Sequence, residues 1–376
     1  MKFMSRPKVI VFSDWFVPGY RAGGPIKSLK NLIATVPCDF LVFTRITDYH
    51  STVAYDNIEE NILYKITENC TVQYIHGNRM NVQSVFRILK DQQFDRIYLN
   101  SLFSIRFTLI PLLICRTHGL NPRVILAPRG MLKSGALTIK PWKKTIFLKL
   151  CKFLYSDIMW HATNEQEKLE VLLKFPKARV IVAPVIPSAD APSMLRDVKI
   201  PGRLRLVTFS RVSSEKGVLE AIKWVNELPS DLDVVFDIYG AMPQGEYLEL
   251  CREEASKSQR VQLRGEVNPS KISEVFSNYE VFFLPTWGEN YGHAIAEALL
   301  NKKPIVISNR TPWRHLESFK AGFDVELTQA EMTKALIYMA WLDEEGYKVW
   351  SEGAYAYAQS VLNDPAIVKS NQALFE

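Results

Sequence analysis

The chain is poor in cysteine. Cys38, Cys70, Cys115, Cys151 and Cys251 are an odd number with no close pair among 376 residues, which argues against a disulfide framework and a zinc knuckle and fits a reducing compartment. An export signal is also missing from the pattern: residues 1–12 hold a single apolar stretch of four, residues 9–12, where a signal needs about 7 to 15. Long hydrophobic runs are absent. The longest nearly uncharged segment, residues 102–115, contains Arg106 and Pro111 and falls short of the ~20 residues that span a bilayer, so it reads as a buried helix. No repeat, low-complexity tract or strong charge bias appears: 46 basic against 40 acidic residues leave +6, with 47% hydrophobic and 23% charged residues. A fibre and a disordered chain are thereby excluded. The expectation is a cytoplasmic globular protein of two domains, taking roughly 100 to 200 residues per domain.

What is present is an alternation. Short β-rich runs at residues 8–12, 40–43, 96–99, 123–127 and 179–183 are separated in several places by amphipathic stretches, the pattern of a parallel sheet wrapped by helices. The pattern breaks at residues 184–203, punctuated by Pro184, Pro187, Pro192, Pro201 and Gly202. It resumes with strands at residues 204–209, 234–239, 261–263, 281–284 and 304–307. The reading is α/β: an N-terminal Rossmann-like domain over 1–187, a linker over 188–203, a second Rossmann-like domain over 204–346 and a helical tail over 347–376. Open parallel sheets bind ligands at the carboxyl ends of their strands, so two doubly wound domains should face a deep cleft.

Three loops carry residue types suited to chemistry. After the strand at 204–209, Arg211 and Lys216-Gly217 flank a strand-to-helix turn; a guanidinium fork, an ammonium point charge and helix-terminal amides together favour a diphosphate, although an exposed ion pair with Glu215 would look the same. After the strand at 281–284 come Glu289, Asn290, Tyr291, Gly292 and His293, and then Glu297. If the chain between the two glutamates is largely helical, their carboxylates lie at most about 12 Å apart on nearby faces. One could reach a hexose and the other a ribose, with amides around 290–293 facing the diphosphate; the competing fate of Glu297 is a salt bridge to Lys302 or Lys303. His293 could bond the sugar or cap the helix. The third loop, 16–25, carries Gly23-Gly24, which let backbone amides approach an anion. It lacks the three-glycine dinucleotide spacing and an acidic ribose reader, which argues against a nicotinamide site. The one acidic pair resembling a metal triplet, Asp231-Leu232-Asp233, falls in an expected surface turn, so no metal and no cofactor is expected.

Taken together, Gly23-Gly24, Arg211 with Lys216-Gly217 five residues on, and the two glutamates Glu289 and Glu297 resemble glycosyltransferase family 4, retaining enzymes of the GT-B fold, over nearly the whole chain. The resemblance implies that the C-terminal helices pack back toward the N-terminal domain. It also implies that Arg211 and Lys216 hold the donor diphosphate and act electrostatically, that Glu289 lies against the donor sugar, and that Glu297 holds the ribose. Gly240 and residues 264–266, with Arg264, fall where the family's base-binding segments lie. Residues 127–132, Ala-Pro-Arg-Gly-Met-Leu, and 161–167 resemble a bacterial subset associated with surface polysaccharides such as lipopolysaccharide, which places Arg129, Gly130 and Met131 on the acceptor side. Many members carry Gly-Phe-Gly where this chain has Asn-Tyr-Gly-His, so the donor sugar stays open.

The implied partners are a nucleotide sugar and a glycan or lipid-diphosphate-linked acceptor, not nucleic acid. A nucleotide-sugar epimerase of the same architecture needs no acceptor, and a non-catalytic scaffold is the other alternative; the intact Arg211, Lys216, Glu289 and Glu297 argue against decay. Residues 129–152 hold seven basic and no acidic residues, Lys140, Lys143, Lys144 and Lys149 among them, interleaved with Trp142 and Phe147. Such a stretch suits peripheral contact with an anionic membrane at its inner face, while an ordinary helix solvating its lysines is the alternative.

Overall fold

A computed structural model describes residues 6–120, 123–133, 148, 152–187 and 198–376. The chain divides into two compact units, Met1–Pro187 with Asp364–Glu376, and Ser188–Asn363.

In the first unit an eight-stranded sheet has the order β3-β4-β2-β1-β5-β6-β7-β8. Its strands are β1 Lys8–Phe12, β2 Asp39–Arg45, β3 Leu63–Thr67, β4 Cys70–Ile75, β5 Arg96–Leu99, β6 Val124–Leu126, β7 Met159–Ala162 and β8 Arg179–Val182. Every pairing is parallel except β3 on β4. That edge pair escaped the alternating pattern because β3, Leu-Tyr-Lys-Ile-Thr, is largely exposed and has no buried face to betray it. The central strand shows why the rest was legible. Val9 and Val11 enter one core and Ile10 and Phe12 the other, so β1 is apolar on both faces, as a parallel strand covered by helices must be.

Residues 364–376 complete the same unit. Asp364 caps helix Pro365–Gln372 by accepting from Ala366 N at 2.8 Å, and Ile367, Leu374 and Phe375 join the core that holds Val9 and Val11. The Phe375 ring meets Phe40 at 5.8 Å and Tyr98 at 5.9 Å. A buried Phe contributes about 1.5–3 kcal/mol, enough to fix the end of the chain here. The preceding helix, Glu344–Leu362, stays with the second unit.

The second unit has a six-stranded, wholly parallel sheet ordered β11-β10-β9-β12-β13-β14. The strands are β9 Arg203–Phe209, β10 Asp233–Tyr239, β11 Val261–Gly265, β12 Val281–Leu284, β13 Ile305–Ser308 and β14 Gly322–Val325. Chain order reverses between β9 and β12 here, and between β1 and β5 in the first unit. These are the topological switch points, outside whose carboxyl ends doubly wound sheets bind ligands. Among the described residues no helix is long and apolar enough to cross a membrane. The segment 102–115 is a wide π turn, Ile105–Leu109, running into helix Ile110–Thr117.

Candidate functional site

In the second unit the two expected donor loops leave the sheet at its switch point and meet. After β9, Ser214–Lys216 forms a single 3-10 turn, closed by Gly217 in the left-handed region at φ 65°, and helix Val218–Asn226 follows. After β12, residues 285–292 form the loop before helix His293–Leu300. Trp287 N donates to Glu215 O at 2.9 Å, and Thr286 Oγ1 donates to the same oxygen at 3.2 Å. Lys216 Nζ then reaches Glu289 Oε1 at 2.6 Å, both side chains being largely buried. The cation and the carboxylate singled out in separate loops are therefore direct partners, and each fixes the other's rotamer.

Arg211 stands apart from that pair. It is half-exposed and only 4.0 Å from Glu215 Oε2, a separation at which a surface pair contributes little and the guanidinium can turn to a ligand. The helical spacing expected between Glu289 and Glu297 does not hold, because the helix begins only at His293 and Glu289 lies in irregular chain. Glu297 sits within the helix, half-buried, while Lys302 is paired with Glu352 at 2.9 Å. Gly292 occupies the cap position with no side-chain cap bond, and Asn290 and Tyr291 precede it. The His293 ring meets Tyr291 edge-on at 4.9 Å, and Tyr291 O accepts from Trp313 Nε1 at 2.5 Å. Burial, with the negative Glu297 adding to it, pushes the Tyr291 hydroxyl well above its ordinary range.

Gly240 directly follows β10 at φ 144°, and a Cβ there would stand 2.1 Å from Ser210 O, so the backbone of the β9 loop closes down on a position only glycine can fill. Beside it Arg264 Nε contacts the buried Asp237 Oδ1 at 3.0 Å, while Asp237 Oδ2 accepts from Tyr279 OH at 2.5 Å. Arg264 is thereby held as a half-exposed shelf at the ends of β10 and β11. Residues that the sequence did not single out also shape this face. Arg310 lies over the Trp287 ring at 4.6 Å and accepts from Glu289 N at 3.3 Å through its carbonyl oxygen. Ser308 Oγ donates to Thr286 O at 2.5 Å. Both follow from strand β13 being the neighbour of β12, which only the sheet order reveals.

In the first unit the Gly23-Gly24 loop follows β1. Gly23 precedes helix Gly24–Thr35, with Pro25 in its first turn. Asp48 organises the loop by accepting from Tyr20 N at 3.0 Å and Arg21 N at 3.3 Å. Across the switch point, Asn100 at the end of β5 is 3% exposed and ties two expected segments together: its Nδ2 donates to Pro25 O at 3.1 Å and its Oδ1 accepts from Arg129 Nε at 2.9 Å. Arg129 has φ 52° and begins the turn through Gly130 and Met131 after β6. The buried Glu167 holds that turn, its Oε1 accepting from Gly130 N at 2.5 Å and its Oε2 from Thr163 N at 2.7 Å and Thr163 Oγ1 at 2.8 Å. Met131 Sδ accepts from Leu102 N at 3.4 Å. Of the basic stretch 129–152, the residues Lys140, Trp142, Lys143, Lys144, Phe147 and Lys149 lie outside the described residues.

Arg129 also ends a directed chain of hydrogen bonds. His161 Nε2 lies 2.8 Å from Ala183 O and must donate to it, so Nδ1 is left to accept from Tyr98 OH at 2.7 Å. The Tyr98 oxygen then accepts from Arg129 Nη2 at 2.8 Å. Burial, reinforced by Arg129, pushes His161 down to about 3. In the unfolded chain an imidazole titrates near ~6.5, so the folded protein refuses a proton that the unfolded chain accepts. The contribution of neutral His161 is complete above ~6.5 and is lost as pH falls toward about 3. Between pH 7.5 and pH 5 the wild type should lose about 2 kcal/mol from this group, and His161→Gln should not. Urea unfolding of both proteins at the two pH values checks it, equal pH dependence being the contrary result.

Residues 194–357 match the family described as Glycosyl transferases group 1. A curated relative, the UDP-N-acetylglucosamine--peptide N-acetylglucosaminyltransferase GtfA subunit of Streptococcus pneumoniae, is 28% identical over 102 residues, which is 27% of this chain and only 20% of that protein's length. Among solved structures, sucrose-phosphate synthase from Thermosynechococcus elongatus has a TM-score of 0.73 at 16% identity, over 98% of both chains. HepE of Anabaena in complex with UDP-glucose has a TM-score of 0.68 at 14% identity, again over 98% of both. The likeness establishes the fold as GT-B, two Rossmann-like α/β units. The family match itself lies over the second unit.

Proposed function

We propose that the chain is a retaining, metal-independent glycosyltransferase that moves a hexose-type sugar from a nucleoside-diphosphate donor to a glycan or lipid-linked acceptor in polysaccharide biosynthesis, working at the inner face of the membrane. The observation that carries the reading is the 2.6 Å contact of Lys216 with Glu289 at the switch point of the second unit. It sets a cation beside a carboxylate next to the amino end of helix His293–Leu300, which supports reading the first as a diphosphate contact and the second as a sugar contact. HepE, whose structure holds UDP-glucose, and the group 1 family match lend support to a nucleotide-sugar donor.

In this reading the acceptor hydroxyl attacks the anomeric carbon on the face the diphosphate leaves. The carbon–oxygen bond to the β-phosphate breaks as the new glycosidic bond forms, and the hydroxyl proton passes to the departing diphosphate. Arg211 and Lys216 stabilise the charge that develops there, Glu289 orients the sugar, Glu297 takes the ribose, and Arg264 beside Gly240 meets the base. Residues 204–346 would hold the donor and residues 1–187 the acceptor.

A thermal-shift screen against nucleotide sugars should find one donor that raises the melting temperature, because a ligand bound only to the folded state stabilises it by mass action. Proton NMR of the first product formed from that donor should then show the anomeric configuration retained, with turnover unchanged by chelator. An inverted product would remove the retaining assignment, and loss of activity in chelator would remove metal independence.

A further inference from the structure

The first unit contains a guanidinium whose environment is incomplete. Arg129 is half-buried and held along one edge only, Nε to Asn100 Oδ1 at 2.9 Å and Nη2 to Tyr98 OH at 2.8 Å. Both acceptors are neutral. His161 cannot supply a counter-charge, and Glu167, the buried carboxylate of this neighbourhood, accepts from Gly130 and Thr163. Among the described residues Arg129 makes no ion pair, and its Nη1 makes no hydrogen bond. Arginine keeps its proton at any working pH, and a charge withdrawn from water without a partner is costly. Yet the fold invests in holding it: a left-handed backbone at Arg129 (φ 52°), the bond from Gly130 to Glu167, and the directed chain through Tyr98 and His161 to Ala183. A salt link that merely closed a strand end would need none of this.

The placement is informative as well. Arg129 follows β6, one strand from the β1–β5 switch point, and Asn100 bridges it to Pro25, directly after Gly23-Gly24. The end of the guanidinium that carries Nη1 is thus left to a ligand at the carboxyl ends of the strands, where such sheets bind. Two parallel N–H bonds from a guanidinium fit an oxyanion of phosphate geometry better than a hydroxyl or an amide.

We propose that Arg129, oriented by Tyr98 and Asn100, is an oxyanion site of the first unit and that the acceptor carries a phosphate group bound there. This rests on the reading of the first unit as the acceptor side. Tyr98 and His161 are positioning residues, acting through the direction they give the guanidinium. The phosphate can belong to a lipid-linked acceptor or to a soluble phosphorylated sugar; the shared chemistry is the phosphate monoanion or dianion.

The test measures binding of inorganic phosphate and of octyl phosphate to the full chain by calorimetry at low salt, in the wild type and in Arg129→Gln, Tyr98→Phe and Lys216→Ala. Arg129→Gln keeps a donor for Asn100 and removes the charge; it should weaken both probes at least tenfold. Tyr98→Phe keeps the charge and releases Nη2, and should weaken them severalfold. Lys216→Ala should leave one phosphate site of unchanged affinity. Tighter binding of octyl phosphate supports the site with a lipid-linked source, and equal binding supports it with a soluble one. Phosphate affinity that is lost with Lys216 and kept in Arg129→Gln overturns the proposal, because the only site would then be on the donor side. If Arg129→Gln does not fold, Tyr98→Phe decides alone, unchanged affinity being the overturning result. Donor binding in the thermal-shift screen is read separately, so failure here leaves the glycosyltransferase reading standing and failure there leaves this site measurable.

Discussion

Lys216→Ala should lower sugar transfer by about 10²–10³-fold, the loss typical when one preorganised group facing developing negative charge is removed. The structure adds a second consequence. Lys216 Nζ and Glu289 Oε1 are 2.6 Å apart, with both side chains largely buried, so deleting the ammonium also takes a close partner from that carboxylate. Groups this close do not contribute independently. Glu289→Gln should lower turnover by a comparable factor while leaving affinity for the free nucleoside diphosphate nearly intact, because the amide still fills the space beside Lys216. The double variant Lys216→Ala/Glu289→Gln should be little worse than Lys216→Ala alone. Arg211→Ala, whose side chain is half-exposed and 4.0 Å from Glu215, should combine with either change almost additively. Steady-state kinetics of the wild type, the three single variants and their pairwise combinations form the check. Full additivity of the Lys216 and Glu289 effects would mean that the contact does not persist when the donor binds, and near-normal turnover in Lys216→Ala would remove the residue from the site.

How much of this could be read from residue order depends on what each feature is made of. Strands β1, β5, β12 and β13 were legible because a parallel strand buried on both faces is a short, nearly uninterrupted apolar run, as in Val-Phe-Phe-Leu of β12. Strand β7, Met-Trp-His-Ala, was not, because a buried histidine breaks such a run, and its reason lies elsewhere in the chain: Tyr98 and Ala183 supply the two bonds that let His161 be buried neutral. Strand β14, Gly-Phe-Asp-Val, hides similarly, its Asp324 facing Arg314 at 3.3 Å and accepting from Leu316 N at 2.9 Å. At the site, charged loop residues after strands announced themselves, but their partnership did not. The contact of Lys216 with Glu289 spans 73 positions, and nothing in either loop names the other; the sheet order, which sets β9 beside β12, does. Asn100 was passed over for the opposite reason. A lone asparagine after a strand looks like any turn residue until the switch point between β1 and β5 is known.

Gly217→Ala is expected to cost about 3 kcal/mol and to open the site. A left-handed conformation costs a residue with a side chain about 1–2 kcal/mol, and Gly217 has φ 65° and ψ 30°. The larger part is collision. A Cβ at this position would lie 2.0 Å from Pro285 O and 3.0 Å from Pro285 C, both backbone atoms, and overpacking against atoms that cannot rotate away costs about 1–3 kcal/mol. Pro285 cannot yield cheaply. It directly follows β12, the next two residues are bonded to Glu215 O, and Thr286 O accepts from Ser308 Oγ. Relief therefore requires the two loops to part, which lengthens the distance between Lys216 and Glu289 on which the proposed transfer depends. Gly265→Ala supplies the control within the same unit: its φ is 81°, but a Cβ there meets nothing within 4 Å, so it should show the conformational cost alone. Denaturant unfolding should rank Gly217→Ala well below Gly265→Ala in stability, and donor binding should weaken in Gly217→Ala. Equal losses in the two variants would mean that the loops do not depend on the missing side chain. Unaltered donor affinity in a destabilised Gly217→Ala would separate the packing of the loops from the chemistry they are proposed to carry.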